Sequence, residues 1–167
     1  DNAHKLGGET VLFRHEKTLV SRNLFAVPLC TCMDDAAVAA ALAEMAKVDY
    51  ERIGEREYVE MVLVHDEKGD GARLAALAQK VVAMGRVAII DCENADVAKV
   101  AVEAVKDSKP ILNGANAANY EAMNAVATAA GVTLGVKGAS IEELHDTVAA
   151  LEKAGNKNLV IDVTGKD

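Results

Sequence analysis

The 167-residue sequence contains no tryptophan and is only 3% aromatic, although 51% of its residues are hydrophobic. Its apolar residues are therefore mainly alanine, valine, leucine and isoleucine, small side chains that allow helices to pack closely on a sheet. A chain of this length can build one domain with a hydrophobic core and does not require a second. We therefore expect a single α/β domain.

The sequence also lacks the features of nucleic-acid-binding and membrane proteins. Its formal net charge is −8 and it has no basic block, whereas affinity for nucleic acid depends mainly on Lys and Arg at phosphates. No apolar run approaches the roughly 20 residues that cross a bilayer. The first residues, DNAHKLGG, show no basic region followed by an apolar stretch. We expect a cytoplasmic protein that binds neither nucleic acid nor membranes.

Cysteines are few, and their number is odd: Cys30, Cys32 and Cys92. This pattern indicates reduced thiols in a reducing compartment. Together with His65 they are all soft or borderline metal ligands, so a metal or redox site is one alternative. However, C-x-C lacks the stronger C-x-x-C spacing, and buried free cysteines are ordinary small hydrophobic residues. We predict no metal site.

What the sequence does contain is a repeated strand–helix unit. Six short runs are apolar on both faces, which is typical of parallel strands covered on each side. They occupy residues 23–29, 58–64, 87–91, 110–114, 132–136 and 158–163.

Alanine-rich segments between these runs have helical spacing and marked ends. Ser140 and Glu143 predict a capping box before the last helix, and Gly155 is suited to its left-handed end. The other predicted N-caps are Asp34 or Asp35, Asp70, Asn94 and Asn116. The predicted inward stripe of the last helix is Ile141, Leu144, Val148 and Leu151.

Parallel strands alternating with helices form either an open doubly wound sheet or a β/α barrel. No G-x-G-x-x-G dinucleotide motif follows any strand, which favours the barrel. A full eightfold barrel takes about 250 residues, so six units predict a parallel (β/α) TIM-like barrel that is incomplete. We place an N-terminal hairpin or lead-in at residues 1–22 and the partial barrel at residues 23–167, with strands in sequence order. Because the first and last strands would then be apolar sheet edges, we expect the chain either to self-associate or to occur only where the rest of the protein or a partner barrel covers the gap.

Polar residues follow the predicted strands, where β/α barrels carry their chemistry. The chemistry of three of these residues suits a planar heterocycle. The carboxylates of Asp91 and Asp162 can accept hydrogen bonds from ring N–H and NH₂ groups, and the Asn113 amide can both donate and accept. They resemble the pterin-reading pattern of barrels that bind folate-type cofactors, so we predict them as cofactor-binding residues. The alternative is that strand ends simply meet solvent and carry helix caps. The remaining strand-end residues are Cys30, Cys32, His65, Asp66, Cys92 and Lys137.

Nucleophilic catalysis has little support in the sequence. It contains no G-x-S-x-G, and no cysteine has a histidine nearby along the chain. His4 lies near the start of the sequence, and His145 lies within a predicted helix. We predict no catalytic residue.

Residues 7–18, GGETVLFRHEKT, closely resemble the large (gamma) subunit family of corrinoid iron–sulfur proteins. Further resemblance lies in residues 109–112 (KPIL), 119–123 (NYEAM) and 158–162 (NLVID). This resemblance implies that the chain is the barrel portion of a subunit that carries methyl groups between a methylpterin and acetyl-CoA synthase in the acetyl-CoA pathway. It also implies that the barrel serves mainly as a scaffold and a subunit interface. A pterin-binding methyltransferase is the alternative.

The same resemblance implies cofactors and partners beyond this segment. A [4Fe–4S] domain is expected before the barrel and a corrinoid domain after it, with neither cofactor in the segment itself. The implied partners are the small subunit, a methyltransferase and acetyl-CoA synthase. The residues around Arg14 and Lys17 are interpreted as a structural or interfacial hairpin. Cys30 and Cys32 depart from the acidic pattern expected after the first strand.

Overall fold

Strands and helices alternate along the chain. The computed structural model describes residues 9–13, 16–19 and 24–163. Its strands are β1 (Glu9–Phe13), β2 (Glu16–Leu19), β3 (Ala26–Cys30), β4 (Asp49–Arg52), β5 (Glu55–Tyr58), β6 (Met61–His65), β7 (Val87–Asp91), β8 (Ile111–Ala115), β9 (Thr133–Lys137) and β10 (Leu159–Asp162). Its helices are α1 (Asp35–Lys47), α2 (Gly71–Ala83), α3 (Ala95–Val105), α4 (Tyr120–Ala130) and α5 (Ile141–Lys153), with a 3₁₀ turn (Lys106–Ser108) after α3.

Six parallel strands form one sheet in the order β3-β6-β7-β8-β9-β10, which is their order along the chain. The predicted α/β class and sequential strand order are confirmed, and the arrangement is that of an incomplete TIM-like barrel. Within the described residues, β3 and β10 stand at the two ends of this sheet.

The core lies between this sheet and its helices. Right-handed crossovers between sequential parallel strands place all the helices on one face, and α2, α3, α4 and α5 contact their neighbours in turn. Five side chains that are paired across the sheet face this helical layer and are at most 1% exposed: Leu29, Val64, Ile90, Leu112 and Leu134.

Most helix ends agree with the predicted caps. Asp34, Asp70 and Asn94 accept hydrogen bonds from backbone N–H groups in the first turns of α1, α2 and α3. Ser140 Oγ accepts from the Glu143 N–H at 3.1 Å. The Glu143 carboxylate, however, accepts from the Ala139 N–H rather than that of Ser140.

The predicted cap of α4 is wrong by three residues. Asn119, not Asn116, is the N-cap, and its side chain does not cap the helix. Its amide donates instead to the carbonyl oxygens of Glu93 at 2.7 Å and Gly114 at 3.0 Å. Asn119 therefore links the loop after β7 to the end of β8, a role that local spacing does not reveal.

Two further corrections concern the predicted second strand and the stripe of α5. Tyr58 belongs to β5, which pairs with β4 in an antiparallel hairpin absent from the sequence prediction. Ile53 and Gly54 form its tight turn with φ of 52° and 79°, a left-handed geometry that isoleucine rarely adopts. Ile141 is 82% exposed and lies outside the buried stripe.

The N-terminal segment contains the predicted hairpin, because β1 and β2 pair antiparallel. Arg14 and His15 lie outside the described residues, as do Gly7 and Gly8. Among the helices that the structure describes, none combines the length and the apolar character required to traverse a bilayer.

Candidate functional site

The candidate site is a row of polar side chains at the carboxyl ends of the parallel strands. Cys30, His65, Asp91 and Asn113 are register partners, each one residue beyond the buried line that faces the helices. Because side chains alternate along a strand, this row faces the opposite side of the sheet. Register alone therefore gathers four polar residues from four strands at one edge.

The three predicted cofactor-binding residues meet at the Asn113 end of this row, where Asp162 joins them from β10. The side-chain amide of Asn113 donates to Asp91 Oδ1 at 3.1 Å and to Asp162 Oδ2 at 2.9 Å. Asn113 is 7% exposed, so these charge-assisted bonds form in a largely desolvated place. We call Asp91, Asn113 and Asp162 the central cluster.

Gly135 makes the contact between Asn113 and Asp162 possible. It is the register partner of Asn113 on β9, whereas Asp162 pairs with Lys137 two residues further along. A β-carbon at Gly135 would lie 2.3 Å from Asn113 Oδ1 and 3.1 Å from Asn113 Cα. Asp162 thus reaches Asn113 across β9 because β9 presents no side chain there.

His65 extends the central cluster towards β6. Its Nδ1 lies 2.7 Å from Asp91 Oδ2, with side-chain exposures of 48% for His65 and 15% for Asp91. Asp91 therefore uses one oxygen for His65 and the other for Asn113. The contact fixes the imidazole orientation, as a carboxylate commonly does for histidine.

Lys137 lies beside the central cluster and forms an ion pair with Glu93 at 2.6 Å. Burial lowers the pKa of Lys137, but the hydrogen bond to Glu93 and the charges of Asp91, Glu93 and Asp162 outweigh it, so the pKa is raised overall. Lys137 is held as a cation, which balances part of the acidic charge and makes it a poor amine nucleophile.

Cys92 is buried just after the end of β7. Its Sγ lies 3.4 Å from the Asn94 carbonyl oxygen and 3.7 Å from Asp66 Oδ2. Burial is the main reason that the pKa of the Cys92 thiol is raised to about 11. A thiol with so little thiolate at neutral pH is an inert packing group.

Cys30 and Cys32 are joined by a disulfide, and Cys92 is the free cysteine. The prediction of three reduced thiols is therefore wrong for this pair. The four-ligand set considered from the sequence is not assembled either: within residues 24–163, the ligand atoms grouped with Cys30 and Cys32 belong to Glu67, not to His65 or Cys92.

Some residues of this edge could not be found by sequence reasoning. Glu67 lies in the loop after β6 and belongs to no recognisable sequence motif. Gly135 lies within a strand, and nothing in the neighbouring sequence distinguishes it from other glycines in strands. His145, which we interpret as structural or solvated, is exposed on α5 and contacts the adjacent Asp146. His4 lies outside the described residues.

Comparison with known proteins identifies the family. The family model described as CO dehydrogenase/acetyl-CoA synthase delta subunit matches residues 1–166. The chain belongs to this family. The resemblance carried by residues 7–18 and by the three shorter segments is thereby confirmed.

The chain is also similar to the corrinoid/iron-sulfur protein large subunit of Moorella thermoacetica, with 31% identity over 96% of the chain and 36% of that protein. The acetyl-CoA decarbonylase/synthase complex subunit gamma of Methanosarcina acetivorans is 28% identical over 97% of the chain and 35% of that protein. The gamma subunit of Archaeoglobus fulgidus is 26% identical over 97% of the chain and 34% of that protein. The chain spans about a third of the length of these relatives.

Proposed function

We propose that this chain is the barrel portion of a corrinoid iron–sulfur protein subunit that carries methyl groups between a methylpterin and acetyl-CoA synthase. The observation that carries the proposal is the family match over residues 1–166, joined by relatives named as the large or gamma subunit. In this proposal the barrel is mainly a scaffold and a subunit interface, and its partners are the small subunit, a methyltransferase and acetyl-CoA synthase in the cytoplasm.

The number of cysteines supports the assignment of the cofactors to flanking domains. A [4Fe–4S] cluster normally uses four thiolates, and the sequence has three cysteines, of which two are paired with each other. We therefore propose that the cluster and the corrinoid are held by other domains of the full subunit.

The central cluster supports a scaffold role because its groups are largely used by one another. Asn113 directs its amide group at two carboxylates, and Asp91 uses both oxygens, one for Asn113 and one for His65. A paired set of this kind fixes the ends of β7, β8 and β10 relative to one another, as a buried polar network does when its members are satisfied.

The proposal is tested by methyl transfer in the full-length subunit assembled with its small subunit. Asp162→Asn removes a charge from the central cluster, and Glu142→Gln on the exposed side of α5 is the matched control. A scaffold role predicts the same rate of methyl transfer to acetyl-CoA synthase for both variants as for the unmodified protein. Failure of the intact subunit to accept a methyl group, or to bind the small subunit, would overturn the assignment.

A second candidate is a pterin-binding methyltransferase that uses Asp91, Asn113 and Asp162. The observation that favours it is their convergence at one strand-end position, where β/α barrels place their chemistry. A heterocycle would have to replace the Asn113 amide as the donor to the carboxylates. Calorimetric titration of the full subunit with methyltetrahydrofolate and with methyltetrahydromethanopterin distinguishes the two functions. Only a pterin-binding methyltransferase should bind one of these compounds with an affinity that Asp162→Asn weakens by 10-fold or more.

A further inference from the structure

A second group of candidate ligands lies at the β3 end of the sheet. After β3 the chain makes a tight turn, in which the Met33 N–H donates to the Cys30 carbonyl oxygen at 3.2 Å. This turn, residues 30–33, brings both cysteine side chains together, and we call it the cysteine turn. The Cys32 N–H donates to Cys30 Sγ at 3.0 Å, and such a bond stabilises a thiolate at that sulfur once the disulfide is reduced.

Thr31 anchors the cysteine turn to the loop after β6. Its side chain is buried at 3% exposure. Its Oγ1 accepts from the Glu67 N–H at 3.0 Å, and its own N–H donates to the His65 carbonyl oxygen at 3.0 Å. These two bonds hold the cysteine turn against the segment that carries Glu67.

The Glu67 carboxylate consequently lies against the cysteine pair. Glu67 Oε2 is 3.2 Å from Cys30 Sγ. One ligand atom from each of Cys30, Cys32 and Glu67 falls within 4.8 Å of the other two. Cys32 and Glu67 are exposed and Cys30 is half-buried, so an ion can reach this place from solvent.

We propose that Cys30, Cys32 and Glu67 form a Zn²⁺ site when the two cysteines are reduced. Thiolates select soft and borderline ions over Mg²⁺ and Ca²⁺. Tetrahedral zinc, with Zn–S near 2.3 Å and Zn–O near 2.0–2.2 Å, requires two sulfurs about 3.8 Å apart. Two cysteines separated by one residue of a turn reach that separation once their bond is broken. Three protein ligands leave a fourth position open to water or a partner group.

The disulfide and the metal site exclude each other. A dithiol reductant supplies two electrons and two protons to the Cys30–Cys32 bond and itself becomes a disulfide. Zinc then displaces the two thiol protons and is held by two thiolates and one carboxylate, which together leave a net charge of −1. The oxidised chain therefore does not bind zinc at this site, and bound zinc protects the pair from oxidation.

Neither of the two nearby candidate ligands belongs to this site. Within residues 24–163, the ligand atoms that lie within 4.8 Å of one another belong to Cys30, Cys32 and Glu67, and those of His65 and Cys92 are not among them. This site is separate from the central cluster and does not depend on the proposed methyl-carrying function.

The test measures Zn²⁺ binding to the full-length subunit. The protein is reduced with a dithiol, freed of reductant without oxygen, and titrated against a chromophoric chelator. We expect the reduced protein to bind one more Zn²⁺ per chain than a Cys30→Ser/Cys32→Ser variant, and the oxidised protein to match that variant. Glu67→Gln should weaken the affinity at least 10-fold, and Cys92→Ser should leave it unchanged. Co²⁺ in place of Zn²⁺ should give thiolate charge-transfer absorbance that the double serine variant lacks.

Three outcomes would overturn the proposal. The first is equal zinc binding by the reduced protein and the double serine variant. The second is an affinity that Glu67→Gln does not change, which would remove the carboxylate from the site. The third is reversible thiol–disulfide exchange with no additional zinc. Circular dichroism of each variant confirms that its fold is retained.

Discussion

The central cluster and the cysteine turn lie on the same edge of one sheet but are held in different ways. Asn113 in the central cluster is 7% exposed and binds carboxylates 22 and 49 residues away along the chain. The cysteine turn is formed by residues 30–33, and its long-range hydrogen bonds reach His65, Glu67 and Arg73. One site thus depends on strand register, and the other depends on a local turn that the Thr31 hydroxyl and backbone N–H join to the segment after β6.

This difference matters for what each site can do. A closely packed, mutually paired cluster resists change and suits a fixed framework. A partly exposed turn allows its cysteines to exchange partners, which is what redox chemistry or metal binding requires. The following four predictions test the contrast, from the largest expected effect to the smallest.

Gly135→Ala should lower the free energy of unfolding by about 3 kcal/mol, because the new methyl group overlaps Asn113 in a packed site. Urea denaturation measures the effect. In an Asn113→Ala background the same change should cost much less, since Oδ1, the atom at 2.3 Å, has been removed. An equal cost in both backgrounds would mean that Gly135 does not serve the central cluster.

Reduced Cys92 should react with iodoacetamide about 100-fold more slowly than the exposed Cys32 at pH 8. The reason is that a pKa of about 11 leaves far less thiolate than an ordinary exposed cysteine has. Mass spectrometry of time points assigns each rate, and alkylation in urea is the control in which the difference should disappear. Similar rates in the folded protein would contradict the burial of Cys92.

Thr31→Val should cost about 1–2 kcal/mol of unfolding free energy, because it keeps the side-chain volume and removes the acceptor of the Glu67 N–H. Thr147→Val is the matched control. Thr147 is also buried, but its hydroxyl only donates to the Glu143 carbonyl oxygen within α5, so its loss should cost no more than about 0.5 kcal/mol. Equal costs would show that the Thr31 hydroxyl is not the anchor.

Lys137→Met should cost about 0.5–1 kcal/mol near neutral pH, the usual range for a partly exposed ion pair. The folded-state pKa of Lys137 is raised, so its contribution is complete below the unfolded-state value near 10.4 and is lost as pH rises through the higher folded-state value. Stability curves of the two proteins should therefore converge above that pH. Lys99→Met, at an exposed position of α3, is the control and should change the free energy of unfolding by no more than about 0.5 kcal/mol.

Much of the fold could be predicted from the sequence because its determinants are local. Strands apolar on both faces, alternating with helices capped by Asp34, Asp70 and Asn94, follow from spacings of a few residues. The β4–β5 hairpin was missed because Ile53 occupies a left-handed turn position usually held by Asn, Asp or Gly. Asn119 was missed as a cap because its side chain donates to the carbonyl oxygens of Glu93, in the loop after β7, and of Gly114, in β8.

The sequence by itself determined the composition of the strand-end row, since Asp91, Asn113 and Asp162 each end an apolar run. Only the tertiary structure decided which of its members meet. Asp162 contacts Asn113 because register places the side-chain-free Gly135 between them, and Glu67 contacts Cys30 because Thr31 anchors one loop to another. The local sequence specifies which side chains each strand end carries. The distances between those side chains depend on the pairing of segments that are distant in sequence, which no local pattern encodes.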